Sequence, residues 1–155
     1  MAESDLVELV DTHGRASGTA QVSTAHVPPG RLHRAYSVVV VDDAGRLLLQ
    51  RRAPTKLRFP GLWTNSCCGH PPPGADLLAS ATLRVAQELG IDLTDAVEVG
   101  TFTYRADDHA TGFVEHEYDH VVVGRHQGNL RPNPAEVSET AWAVSYTHLT
   151  LPTKA

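Results

Sequence analysis

The chain's most reactive side chains are concentrated in one short stretch. It runs from Phe59 through Asn65-Ser66-Cys67-Cys68-Gly69-His70 and is followed by Pro71, Pro72 and Pro73. A Cys beside a His in an irregular segment can hold its thiolate and act as a base or a nucleophile. The alternative is one inert buried thiol beside a loop histidine. Leu62 and Trp63 give the stretch a buried root, and Gly and Pro punctuate both ends. A second set lies at Glu115 and Glu117. On an extended strand these two point to one face, and His116 and His120 point to the other. Two carboxylates on one face of a mid-sheet strand repel each other and are costly to desolvate unless a cation sits between them, most commonly a divalent metal. Nine His in 155 residues strengthen the case for a metal. The basic run Arg51-Arg52-Ala53-Pro54-Thr55-Lys56-Leu57-Arg58 is either a solvated loop or a phosphate grip, since Arg offers a fork and Lys a point charge. Arg84 and Glu88, four residues apart, read on pattern alone as a surface ion pair.

These groups need a scaffold, and the apolar pattern supplies one. Leu6–Val10 reads as a first strand, with a turn at Asp11–Gly14 in which His13 is exposed. Val22 to His26 reads as extended and is broken by Pro28-Pro29-Gly30. The β-branched run Val38–Val41 is apolar on both faces and predicts a central strand. Asp42–Gly45 turns the chain, and Arg46–Gln50 returns, which together predict a hairpin. Asp76 is placed to cap a helix over Leu77–Leu89. Its apolar stripe is Leu78, Ala81, Val85 and Leu89, and Gly90 stands where a C-terminal cap belongs. Val97–Tyr104 and Glu115–Val123 predict two more strands joined by the polar loop 105–112. After the Pro-rich connection 131–139, Ala141-Trp142 opens a last element.

Composition narrows the function classes. A length of 155 residues with 41% apolar and 20% charged content suits one globular domain with a real core. Net charge is −5, and no Lys/Arg run marks a nucleic-acid or membrane surface. The longest apolar run is far too short to span a bilayer, and the N-terminus has no signal-peptide core. Two adjacent Cys make a poor disulfide framework, so a cytoplasmic location is expected.

Taken together, several stretches resemble the type I isopentenyl-diphosphate isomerases, a branch of the Nudix fold. They are His26 with His33, Arg52-Ala53-Pro54-Thr55-Lys56, Pro60 through Pro71, Glu88-Leu89-Gly90, Tyr104-Arg105-Ala106 and Glu115-His116-Glu117. The resemblance covers roughly residues 3 to 142. It implies an α+β fold, an α/β/α sandwich with a mixed twisted sheet and a main helix at about 77–89. Its Nudix box is depleted: Gly69, Glu88, Gly90 and Ile91 fit the frame, but Ala75 and Gln87 stand where acidic residues are usual. The family's metal ligands match His26, His33, His70, Glu115 and Glu117, a set suited to Mn²⁺, Mg²⁺ or Zn²⁺. Its acid and base match Cys68 and Glu117, with Tyr104 assisting. Its diphosphate grip matches Arg52, Lys56 and Arg84, with Glu88 supporting a Mg²⁺ on the substrate. Trp63 is a candidate aromatic face for a carbocation. The family's further lysine falls on Val22.

The resemblance thus implies interconversion of isopentenyl and dimethylallyl diphosphate, with a small isoprenoid diphosphate as partner, neither nucleic acid nor membrane, and a monomeric state when complete. The alternatives weighed against it are a Nudix-type diphosphate hydrolase, which needs the acidic box, and a non-catalytic metal-binding fold, which favours four closed ligands. Residues 1–143 are expected to form one domain lacking its C-terminal part. The stretch 144–155 reads as a non-native tail, including Tyr146 and His148, and the chain is expected to turn over poorly for want of a covering segment.

Overall fold

Among residues 5–144, which the computed structural model describes, the apolar runs and turn residues form nine strands and two helices. In chain order these are β1 (Leu6–Val10), β2 (Ala16–Gln21), α1 (Val22–Ala25), β3 (His33–Val41), β4 (Leu47–Arg52), β5 (Trp63–Thr64), β6 (Cys67–Gly69), α2 (Leu77–Leu89), β7 (Thr94–Asp107), β8 (Val114–Arg125) and β9 (Val137–Ala143). The tail from Ser145 onward, with Tyr146 and His148, lies outside the described residues.

As its β-branched composition requires, β3 is the centre of a mixed sheet. It runs parallel to β8 from His33 opposite Glu117 to Val41 opposite Arg125. Its other edge is divided among β1 at His33, β6 at Tyr36–Val38 and β4 at Val41. β8 pairs on its far side with β7, antiparallel. Tyr36, Val38 and Val40 point to one face, where Ala81, Val85 and Leu89 of α2 pack on them together with Cys67 and Val122. The helix starts where expected: Asp76 accepts the Ala79 N–H at 2.9 Å. It stops at Gly90, whose φ of 67° is the left-handed conformation that glycine adopts without strain. α2 covers one face; α1 is a single turn.

Three expectations are corrected. The β3–β4 hairpin has its turn, with Asp42 Oδ1 receiving the N–H groups of Ala44 and Arg46 at 3.0 and 2.8 Å. Its strands, however, pair only at Val41–Leu47 and then part. Ser66 separates them. Its Oγ accepts the Val40 N–H at 2.8 Å and donates to the Leu48 carbonyl at 2.6 Å, so one buried hydroxyl replaces a direct ladder bond. β4 pairs instead with β9 and β5. Val22–Ala25 is helical rather than extended, because the turn buries Ala25 against Val7 and Leu9 and lets the His26 ring bond back to the Val22 carbonyl. The last strand begins at Val137, where the chain joins the free edge of β4, and not at Ala141.

Replacing Ser66 with Ala should lower folding stability by about 1–3 kcal/mol, because it leaves a buried N–H and a buried carbonyl unpaired. Urea titrations of the two proteins measure this, and equal midpoints would show that the wedge is dispensable.

Candidate active site

Strand register assembles the site before any side chain is considered. His33 on β3 lies opposite Glu117 on β8, and Glu117 lies opposite Tyr104 on β7, so the three form a row across adjacent strands. The end of α1 brings His26 to this row and the end of β6 brings His70. Gly69 is required between Cys68 and His70 because a Cβ there would run into the Tyr36 hydroxyl.

His26, His33, His70 and Glu117 are all buried, and their ligand atoms lie within 4.8 Å of one another. The ring centroids are 4.8 to 5.1 Å apart. Glu117 Oε2 lies 2.9 Å from His70 Nε2 and 3.2 Å from His33 Nε2. The Nδ1 atoms of His26 and His33 each meet a backbone carbonyl at 2.7 Å, of Val22 and Arg31 respectively. A carbonyl only accepts, so each Nδ1 carries the proton and each bare Nε2 faces the cluster. Both Nε2 atoms are buried without a hydrogen-bond partner among the described residues. Burial, followed by the Arg58 charge, depresses the His26 pKa to about 3, which keeps the ring neutral. Neutral imidazoles held through Nδ1, with lone pairs converging on a carboxylate, are what a divalent ion requires of its ligands.

Glu115 stands beside this group rather than within it. The Tyr104 hydroxyl lies between the two carboxylates, 2.7 Å from Glu115 Oε2 and hydrogen-bonded also to Glu117 Oε1. Burial and then the charges of Glu117 and Glu115 push the phenol pKa well above its ordinary value, so Tyr104 keeps its proton. Glu117 therefore faces the imidazoles through one oxygen and the tyrosine through the other.

The two thiols part company. Cys67 is fully buried beneath α2, and burial raises its pKa well above the ordinary thiol value. Cys68 is partly buried and donates to Asn65 Oδ1 at 2.9 Å. It borders two spaces. One is a narrow polar cleft shared with Arg52, Lys56, Arg84, Glu88, Glu115 and Glu117. The other is a mainly apolar cavity of about 360 Å³ whose wall includes Ser37, Val39, Phe102, Tyr104 and Val121. Phe102 and Tyr104 stack there with centroids 5.5 Å apart. Trp63 is buried on β5 and is not among the residues lining that cavity, which takes Thr64 and Asn65 instead.

The expected cations converge, held by acids that pattern alone does not single out. Arg84 is no surface residue: its Nε bonds Glu88 Oε2 at 2.5 Å in a buried pair. Its Nη2 reaches Glu136 at 3.1 Å, and Lys56 pairs with the same carboxylate. Burial opposes the Arg84 charge, but Glu88 and Glu136 outweigh it and raise the pKa. The other Glu88 oxygen receives Gln50 Nε2 at 2.9 Å. Arg52 donates to the Arg58 carbonyl at 2.8 Å and so fixes the loop that carries Arg58 into a wider basic cavity of about 580 Å³ beside His26. Sequence reasoning also passed over Asp119, buried and bonded to Ser37. Its period-two relation to Glu115 and Glu117 was the signal that could have found it.

The NUDIX domain family model matches residues 31–154. The chain is 55% identical over 136 residues to the isopentenyl-diphosphate Delta-isomerase of Nocardia farcinica, covering 88% of this chain and 77% of that protein. It is 51% identical to the protein of the same name from Streptomyces coelicolor, covering 91% and 72%. Among solved structures, DR0079 from Deinococcus radiodurans superposes with a TM-score of 0.70 at 19% identity over 89% of this chain and 82% of that one, a likeness of fold.

A divalent ion that binds the folded state should raise stability by about 2.7 kcal/mol at a hundredfold excess over its dissociation constant. Thermal melts with and without Mn²⁺ or Zn²⁺ after chelation measure this, and His33→Ala should abolish the increment. An increment that survives in His33→Ala would place the ion elsewhere.

Proposed function

This chain belongs to the isopentenyl-diphosphate Delta-isomerase family of the NUDIX domain, and we propose that it interconverts isopentenyl and dimethylallyl diphosphate by adding one proton and removing another. The observation that carries the reading is the divided Glu117 carboxylate, one oxygen among three imidazoles and the other on a protonated tyrosine, with Cys68 in the same cleft. An unactivated terminal alkene shifts its double bond only if one carbon is protonated and a neighbouring allylic position loses a proton, with a tertiary carbocation between. That demands an acid and a base around a dry pocket.

In this reading Glu117 in its protonated form, with Tyr104, delivers a proton at the terminal carbon and is left as the carboxylate, while Cys68 as the thiolate takes one from the other end and is left as the thiol; exchange with solvent resets both. The Phe102–Tyr104 stack offers π faces to the cation, the part expected of Trp63, which is buried elsewhere. His26, His33, His70 and Glu117, with Glu115 alongside, would hold Mn²⁺ or Mg²⁺, or Zn²⁺ as a third choice. The ion's contribution is charge that fixes Glu117 and tunes its proton affinity. Arg52, Lys56 and Arg84 would grip the diphosphate, with Glu88 supporting a Mg²⁺ on it. Glu136 now neutralises Lys56 and Arg84 and must yield to the incoming phosphates. The depleted Nudix box disfavours hydrolysis, and no described helix is long and apolar enough to cross a membrane. A cytoplasmic, small-molecule enzyme is the setting we propose.

Cys68→Ser and Glu117→Gln should each cut turnover of isopentenyl diphosphate by about 10²–10⁴-fold. Cys68→Ser should retain its metal content. Proton NMR in D₂O follows the reaction and should show solvent deuterium in the new methyl group. Phosphate release from nucleoside diphosphates, with no allylic isomer formed, would reject the isomerase in favour of a hydrolase.

A further inference from the structure

The Cys68 thiol is held by more than its own rotamer. Asn65 lies three residues earlier, between β5 and β6, and the direction of its amide is fixed. Its Nδ2 donates to the Val38 carbonyl at 2.9 Å and to the Cys67 carbonyl at 3.0 Å. Both partners only accept, so the amide cannot be flipped without facing oxygen against oxygen. Oδ1 is therefore committed to the other side, where it receives the Thr64 hydroxyl and the Cys68 thiol, each at 2.9 Å. On its far side Cys68 meets Ser37 Oγ at 3.9 Å. The Ser37 proton is already given to Asp119 Oδ2 at 2.6 Å, so Ser37 also turns a lone pair to the sulfur.

Resting on the isomerase reading above, we propose that Asn65 is the positioning residue for Cys68: the thiolate that takes the allylic proton becomes the thiol, and Asn65 Oδ1 receives the S–H so formed and holds the sulfur at the wall of the apolar cavity. The anchor is rigid because Val38 belongs to the central strand, so the placement of the thiol is tied to the sheet and not to the loop. Asn65 does not touch the reacting carbons in this account, and it should affect the rate without affecting substrate affinity. A misplacement of about 1 Å at a reacting group costs on the order of a hundredfold in rate.

The test uses infrared absorption of the S–H stretch, in a Cys67→Ala background so that one thiol absorbs, together with steady-state kinetics. Asn65→Ala should move the stretch to higher wavenumber, as a donor bond is lost. It should lower kcat about a hundredfold with KM for isopentenyl diphosphate and metal content unchanged. An unmoved stretch, or a moved stretch with kcat intact, overturns the proposal. Should Asn65→Ala not fold, Asn65→Asp decides. It sets carboxylate oxygen against the Val38 and Cys67 carbonyls and loses both anchoring donors, so the stretch should leave its parent position and kcat should fall, and either one unchanged overturns the proposal. A parent protein with no isomerase activity would count against the proposed function, while the spectral comparison would still test the Asn65 contact by itself.

Discussion

Glu117 is a buried carboxylate with two kinds of neighbour, and the surrounding structure answers to that division. A carboxylate stripped of water is stable only among donors or cations. Its Oε2 has two imidazole nitrogens within 3.2 Å, and its Oε1 has the Tyr104 hydroxyl. Two of the three imidazoles are locked through Nδ1 to backbone carbonyls, which leaves lone pairs and not protons facing inward. Such a centre could hold a divalent cation, whose charge would bear directly on the proton affinity of Glu117. Tyr104, kept protonated by its burial and by the charges around it, links Glu117 to the wall of the apolar cavity.

That division depends on register. His33, Glu117 and Tyr104 face one another because β3, β8 and β7 pair without a slip at those positions, and a one-residue shift in β8 would send Glu117 to the opposite face. The core beneath α2 holds the register on one side. Ser66 holds the other by keeping β4 away from β3, so that β6 can pair with Tyr36–Val38 and present Cys68 and His70. The cation cluster obeys a separate rule: Arg84 is paired with Glu88 and Glu136, and Lys56 with Glu136.

Much of this was legible in the residues. The Val38–Val41 run announced the central strand, Asp76 and Gly90 bounded α2, and period-two spacing put Glu115 and Glu117 on one face. The motif around Cys68 and His70 pointed to the family and to most of the residues that now converge. What stayed hidden depends on partners remote in sequence. No pattern tells that Ser66 will split a hairpin, that Glu136 in a Pro-rich connection will clamp Lys56 and Arg84 across about 50 or more residues, or that Arg84 and Glu88 will be buried and not on the surface. Trp63 misled for a simpler reason. On a two-residue strand its side chain goes to the packed side, and Thr64 takes the cavity side.

In the proposed function, the Glu117 carboxylate joins a cation centre to Tyr104. A crystal structure of the Mn²⁺-loaded protein, with anomalous data collected at the manganese edge, tests it most directly. One ion should lie about 2.2 Å from His26 Nε2, His33 Nε2, His70 Nε2 and Glu117 Oε2, with Glu117 Oε1 still bonded to the Tyr104 hydroxyl. An ion bound away from the imidazoles, or a Glu117 that turns both oxygens to the metal and releases Tyr104, would contradict it.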